Sequence, residues 1–128
     1  MGRPRMRVGA VTIASERGRA GELAEFYHRL LGWPITDSGP RGGWFQLRPP
    51  EDGIGPTINI EEERAYQRPV WPGEVGRPVA VMHLDIGVDA LDEAVAWAVS
   101  VGAELAEQQP QPDVRVMIDP HGHPFCFS

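Results

Sequence analysis

The second half of the chain changes from an apolar run to a helical stripe. Residues 81–88 are apolar and β-rich, which is typical of a strand covered on both faces. Asp89 stands at an N-cap position, Asp92 falls in the first helical turn, and Gly102 closes the helix. The apolar stripe comprises Leu91, Ala94, Val95, Ala98 and Val99. We therefore predict a strand, a capped turn and an amphipathic helix.

The first third of the chain carries a weaker copy of this unit. Residues 7–13 form a short apolar run, and a helix is predicted over residues 21–31, followed by Gly32. The stripe of this helix comprises Leu23, Phe26 or Tyr27, Leu30 and Leu31. More strand-like sequence follows each helix, at 43–48 and 57–61 in the first half and at 114–118 and 125–127 in the second. The simplest interpretation is a tandem repeat of one βαβββ module.

Length and charge restrict the class of protein. With 128 residues the chain has the size of one domain, with module one at 7–62, a crossover at 63–79 and module two at 80–128. The formal charge of -6 argues against nucleic acid as a partner, because phosphate contacts need a basic surface. No apolar run is long enough for a signal peptide or a membrane span. Cys126 has no cysteine to pair with, which favours the reducing cytoplasm.

Polar and aromatic residues alternate with apolar ones in the strands of module one. Trp44 and Gln46 share one face of their strand, where the indole either walls a pocket or covers a sheet edge. Asn59 and Glu61 alternate with isoleucines, so they are expected to face away from the helix. In the crossover, Trp71 lies in an apolar stretch and is expected to insert into the core, a partner subunit or a ligand cavity.

Module two holds most of the candidate chemistry. His83 shares a face with Asp85 and either ligates a metal or moves protons, or is a hydrogen-bonded structural residue. Cys126, between two phenylalanines, is expected on the same side as His83, as an inert thiol or as a nucleophile.

The remaining histidines have simpler interpretations. His121 and His123, beside Asp119, form either a metal-binding pair or part of a tight turn between two strands. His28 falls off the apolar stripe of the first helix and is expected at the surface. The sequence has no P-loop, nucleophile elbow or paired-cysteine zinc signature.

Taken together, several motifs resemble the vicinal oxygen chelate superfamily, which holds glyoxalase I, extradiol dioxygenases, fosfomycin-resistance enzymes and bleomycin-binding proteins. The resemblance is closest to small glyoxalase-like domains and covers residues 9–127. It rests on LAEFY at 23–27, LLGW at 30–33, PVWP at 69–72, HLD at 83–85, GA at 102–103 and DPHGHPFC at 119–126. The resemblance implies an α+β fold in which tandem βαβββ modules form an eight-stranded cup-shaped sheet with helices outside, within a homodimer.

The resemblance also implies where a metal would bind. Metal-dependent members hold one divalent ion through four ligands, from the first and last strands of both modules. Those positions fall on Ala10, Asn59, His83 and Cys126, of which only His83 is an intact match; Glu61 is a possible substitute near Asn59. We therefore expect no metal cofactor, and any ion present would use His83, Glu61 and Cys126.

Two functions of different classes follow from the resemblance. The first is binding of a small aromatic or amphipathic molecule in a metal-free cup lined by Thr12, Trp44, Gln46, Asn59, Glu61, His83 and Cys126, with Trp71 nearby. The second is a metal-dependent lyase, isomerase or dioxygenase. A weaker third possibility is metal-free proton transfer, for which His83 and Glu61 are the catalytic candidates.

Overall fold

A computed structural model describes residues 2–51, 53 and 55–128, and the chain divides into two compact units, Met1–Glu63 and Arg64–Ser128. The first unit contains β1 (Ala10–Ser15), α1 (Ala20–Leu31), β2 (Ile35–Ser38), β3 (Trp44–Leu47) and β4 (Thr57–Glu62). The second contains β5 (Leu84–Ile86), α2 (Leu91–Ser100), β6 (Glu104–Leu105), β7 (Arg115–Ile118) and β8 (Pro124–Phe127).

The two units have the same topology. The strand order is β1-β4-β3-β2 in the first sheet and β5-β8-β7-β6 in the second. In each sheet the first and last strands of the unit pair in parallel, and the other pairs are antiparallel. The predicted α+β class with two βαβββ modules is therefore confirmed.

Helix α1 covers one face of the first sheet. Its apolar side is buried, including Leu23 and Phe26, as are Leu47, Ile58 and Ile60 of the sheet. Since neighbouring residues of a strand point to opposite faces, Asn59 and Glu61 lie on the side away from this core. Gly32 ends the helix in the left-handed conformation, with φ 72°.

The apolar run at 81–88 is a much shorter strand than predicted. Only Leu84–Ile86 pairs with β8, and Val81 and Met82 are 88% and 75% exposed. The prediction of a strand covered on both faces is wrong, because Asp85 is exposed within β5 and the residues before the strand are exposed as well.

The start of α2 also differs from the prediction. The N-cap is Ala90, which makes no side-chain capping bond, so Asp89 is not the cap. Asp92 does lie in the first turn, where its negative charge interacts favourably with the helix dipole and stabilises α2. Ala98 is buried, but Val99 is half exposed, so the apolar stripe is narrower than the sequence suggested.

The strands of the structure also differ from the predicted ones in their bounds and number. The first strand begins at Ala10 rather than at residue 7, and β2 and β6 were not located because all their residues are exposed. His28 is half-buried rather than at the surface, and its Nδ1 lies 2.7 Å from the Trp33 carbonyl oxygen. In the loop at 49–53, Gly53 N donates to Pro50 O, while Asp52 lies outside the described residues.

None of the helices in the described part of the chain has the length and apolar character needed to cross a membrane.

Candidate functional site

The register of the first sheet gathers five of the predicted ligand-binding residues on one face. Thr12 of β1 is the partner of Asn59 in β4, and Asn59 is also the partner of Gln46 in β3. Trp44 of β3 is the partner of Glu61 in the next row. Because paired residues share a face, we call Thr12, Trp44, Gln46, Asn59 and Glu61 the polar face of the first sheet.

Asn59 occupies the centre of the polar face and carries an unsatisfied atom. Its Oδ1 is buried and has no hydrogen-bond partner among the described residues. The neighbouring Gln46 Oε1 is used, since it accepts from Thr36 Oγ1 at 3.3 Å and from the Arg48 guanidinium at 3.1 Å. A buried carbonyl oxygen without a donor is unfavourable by about 1–3 kcal/mol, so a hydrogen-bond donor that reached Asn59 Oδ1 would gain free energy.

The second row of the polar face pairs an aromatic ring with a carboxylate. Trp44 is half-buried and Glu61 is exposed. Among the described residues, no ion pair involves Glu61. The row therefore offers a rigid apolar surface beside a negative charge.

The second unit gathers His83, Asp85 and Cys126. One donor atom from each lies within 4.8 Å of the others, and His83 Nε2 is 3.1 Å from Asp85 Oδ1. Cys126 faces the same side as His83, as predicted, because it is the register partner of Asp85 across β5 and β8. Burial, and then the Asp85 carboxylate, raises the pKa of the Cys126 thiol above its ordinary value of 9.0. The thiol is therefore protonated near neutral pH and is a poor nucleophile.

These residues do not reproduce the four-ligand metal site that the resemblance implies. Ala10 offers only a methyl group, and Asn59 offers an amide oxygen where a charged or imidazole ligand would hold the ion. Within the second unit, however, the imidazole, carboxylate and sulfur are the donor types that zinc accepts. Asp85 was not predicted as a donor, although its position two residues after His83 on a strand indicates a shared face. Glu61 belongs to the first unit, and its role as a ligand stays a prediction.

His121 and His123 belong to a turn. The buried Asp119 carboxylate accepts from the backbone N–H of His121 at 2.8 Å and of His123 at 3.0 Å, and its Oδ2 lies 2.7 Å from His123 Nδ1. Tyr66 Oη donates to the His121 carbonyl oxygen at 2.6 Å and lies 3.2 Å from His123 Nε2. The tight-turn alternative is confirmed, and Tyr66, which no sequence signal marked, completes it.

The contacts described above leave three predicted roles untested. Trp71 is half-buried in the second unit, and no described contact assigns it to a ligand. His83 and Glu61 lie in separate units, so joint proton transfer stays a prediction. The assignment of ligand-binding roles to the polar face is likewise a prediction, although its register agrees with the one expected.

Comparison with known proteins identifies a family. The model of the glyoxalase-like domain family matches residues 10–128. No curated protein matches the chain in sequence. Solved structures match over nearly the whole chain at low identity, which is evidence for the fold alone.

Three of these structures illustrate the match. A gene product of Arabidopsis thaliana has a TM-score of 0.69 at 16% identity, covering 98% of this chain and 99% of its own. A glyoxalase/bleomycin resistance protein/dioxygenase family enzyme from Burkholderia phytofirmans has a TM-score of 0.68 at 15% identity, covering 95% and 97%. A glyoxalase-related enzyme from Fulvimarina pelagi has a TM-score of 0.65 at 18% identity, covering 96% and 87%.

Proposed function

Because the chain belongs to the glyoxalase-like domain family, we propose that it binds a small aromatic or amphipathic organic molecule without a metal ion. The observation that carries the proposal is the buried Asn59 Oδ1, which has no hydrogen-bond partner among the described residues and lies one row from Trp44. Ligand sites typically combine apolar aromatic walls with a few convergent polar groups, and the polar face of the first sheet has this composition.

The proposal includes residues of the second unit. The family resemblance supports ligand contacts for His83, Cys126 and Trp71 of the second unit as well. The Cys126 thiol offers a ligand a small uncharged surface, since its raised pKa keeps it protonated.

A fluorescence titration tests the proposal. We expect aromatic metabolites and natural products from a broad panel to change tryptophan emission and to raise the melting temperature of the protein. Trp44→Leu should weaken binding at least about tenfold, because it removes the aromatic wall. The matched control is Trp97→Leu, since Trp97 is 52% exposed on α2 and lies outside the proposed site.

The same titration separates the metal-free proposal from its competitors. Saturating EDTA should leave the ligand affinity unchanged. If no panel member moves either the emission or the melting temperature, the binding proposal is wrong. If EDTA abolishes binding, the metal-free part of it is wrong.

A second candidate function is a divalent-metal enzyme of the lyase, isomerase or dioxygenase type. The specific observation in its favour is the group of His83, Asp85 and Cys126. His83 Nε2 and Asp85 Oδ1 are 3.1 Å apart, near the separation of about 3.3 Å that two zinc ligands adopt at tetrahedral angles.

Cobalt substitution tests this candidate without an activity assay. Bound Co²⁺ with a Cys126 ligand gives a sulfur-to-metal charge-transfer band in the near ultraviolet, which Cys126→Ser should remove. Asp85→Asn should reduce the amount of bound cobalt, because it removes a donor of the group. Asp89→Asn is its matched control, since Asp89 is an exposed carboxylate outside the group. Retention of less than about a tenth of an equivalent after soaking with zinc, nickel, manganese or iron(II) would exclude the metalloenzyme.

We also propose that the protein acts in the cytoplasm as a homodimer. The unpaired Cys126 supports a reducing compartment, and the family resemblance supports the dimer. Light scattering at defined concentration tests the dimer: a mass of one chain at micromolar concentration contradicts it.

A further inference from the structure

Within the described part of the chain, a buried acceptor and a negative charge lack partners at one end of the polar face. Asn59 Oδ1 is buried and receives no hydrogen bond from the described residues. Two residues further along β4, Glu61 is exposed and, within the described part of the chain, belongs to no ion pair. A ligand that satisfies both groups must bring N–H or O–H donors.

The guanidinium of Arg48 contacts the polar face at Gln46, away from Glu61. Arg48 donates to Gln46 Oε1 at 3.1 Å, and Thr36 Oγ1 donates to the same oxygen at 3.3 Å. The acceptor of Gln46 is therefore occupied, whereas Asn59 Oδ1 and the Glu61 carboxylate have no partner among residues 2–51, 53 and 55–128.

Charge along this side of the first unit runs from positive to negative. Arg7 and Arg48 line a cavity of about 370 Å³ that also includes Thr57, at the start of β4. Glu61 lies near the other end of the same strand. A cationic group is repelled from the arginine end and attracted to the Glu61 end, which orients a charged ligand.

Trp44 adds an aromatic surface where this negative charge lies. Trp44 and Glu61 are partners across β3 and β4, so their Cβ atoms are about 4.5–5.5 Å apart. An indole face beside a carboxylate is suited to an organic cation, which gains a cation–π interaction and an ion pair together. Asn59 and Glu61 are separated by about 6.6 Å along the strand, a span that a planar cation with two N–H groups can bridge.

We propose that the polar face of the first sheet selects aromatic organic cations that carry N–H donors, such as aryl amidines or protonated aryl amines. This inference rests on the proposed binding function and specifies its ligand class. The cationic nitrogen lies between Glu61 and Asn59, and the aromatic ring packs on Trp44. The formal charge of -6 on the chain adds a general attraction for such ligands.

Three matched ligands test the inference by isothermal titration calorimetry at low ionic strength. Naphthalene-2-carboximidamide, 2-naphthamide and 2-naphthoate share one ring system and differ in charge from positive through neutral to negative. We expect the amidine to bind at least about tenfold more tightly than the amide, and the naphthoate to bind most weakly.

Three variants assign the selectivity to individual residues. Glu61→Gln should remove the advantage of the amidine and weaken the amide much less, because only the charged ligand loses an ion pair with the carboxylate. Glu62→Gln is the matched control, since it removes the same charge from the next residue of β4, which points to the opposite face. Asn59→Leu should weaken the amidine and the amide alike, because both donate N–H groups. Circular dichroism and the melting temperature of each variant check that it is folded.

The outcomes separate this inference from the function on which it rests. If the amide or the naphthoate binds as tightly as the amidine, and Trp44→Leu weakens that binding, the cation class is wrong and the binding function stands. If the amidine preference persists in Glu61→Gln, the assignment to this face is wrong. If the three ligands fail to bind although other panel members do, the cation class is overturned. If nothing binds, both proposals are overturned.

Discussion

Asp85 and Cys126 are direct partners across the parallel strands β5 and β8, so a carboxylate and a thiol lie side by side on one face of the second sheet. This arrangement opposes ionisation of the thiol, because a thiolate would be repelled by Asp85 and is already disfavoured by burial. The chemical character of Cys126 therefore depends on a neighbour that is 41 positions away in sequence.

The pH dependence of Cys126 alkylation should reveal this relationship. With its pKa raised, the thiol ionises at a higher pH than a free cysteine, so iodoacetamide should react with it more slowly at any pH below that pKa. Asp85→Asn removes the repulsion and should move the midpoint of the rate profile to lower pH, though not to that of a free thiol, since burial remains.

The control for this experiment is Asp89→Asn, which removes an exposed carboxylate outside the cluster. Its profile should match that of the unaltered protein. A midpoint in Asp85→Asn that stays in place or moves upward would show that Asp85 does not act on the thiol.

Asp119→Asn should destabilise the protein. The Asp119 carboxylate is 1% exposed and accepts from two backbone N–H groups, and it lies 2.7 Å from His123 Nδ1. Asp119→Asn removes the negative charge that accepts the two backbone N–H groups and the acceptor oxygen beside His123 Nδ1, so we expect the free energy of unfolding to fall by about 2–4 kcal/mol.

Urea unfolding followed by circular dichroism measures this change. Asp113→Asn serves as its control, because Asp113 is exposed and should change stability by less than about 0.5 kcal/mol. Equal stability of the two variants would show that the Asp119 hydrogen bonds contribute nothing net to folding.

Gly122→Ala should destabilise the turn between β7 and β8 for two reasons. Gly122 has φ 93°, which disfavours an L side chain, and an added Cβ would meet the Arg68 side chain, whose Nε would lie at 3.0 Å. We expect a loss of about 2–4 kcal/mol in the free energy of unfolding, measured in urea.

Gly18→Ala separates the two causes. Gly18 also has a positive φ, of 75°, but an added Cβ there meets nothing within 4 Å, so the cost should be about 1 kcal/mol. We expect Arg68→Ala in the Gly122→Ala background to restore part of the lost stability, because it removes the side chain that the added Cβ meets. Equal losses at both glycines, with no recovery in the double variant, would show that contact with Arg68 costs nothing.

The sequence was informative where residues alternate between a core and an open face. Ile58 and Ile60 are buried by α1, so the register that places Asn59 and Glu61 on the opposite side could be read from the period of two. The amphipathic period of α1 and the glycine at its end were predictable for the same reason, since burial imposes one set of positions.

The sequence was uninformative where a segment has no buried face to set against an exposed one. Every residue of β2 and β6 is exposed, so burial imposes no alternation there, whereas the apolar Val81 and Met82 are exposed outside any strand. Tyr66 contacts His121 and His123 from 55 and 57 positions away, and nothing local in its sequence indicates that contact.

The amino-acid sequence by itself determined the repeated module and the faces of its main strands, because these follow from local periods of hydrophobicity, and its motifs carried the family resemblance. Only the tertiary structure decided that donor atoms of His83, Asp85 and Cys126 lie within 4.8 Å of one another, that Asn59 Oδ1 is buried without a described partner, and that Tyr66 bonds to the turn of Asp119. Those features depend on strand pairing and on contacts between distant residues, which a local pattern does not encode.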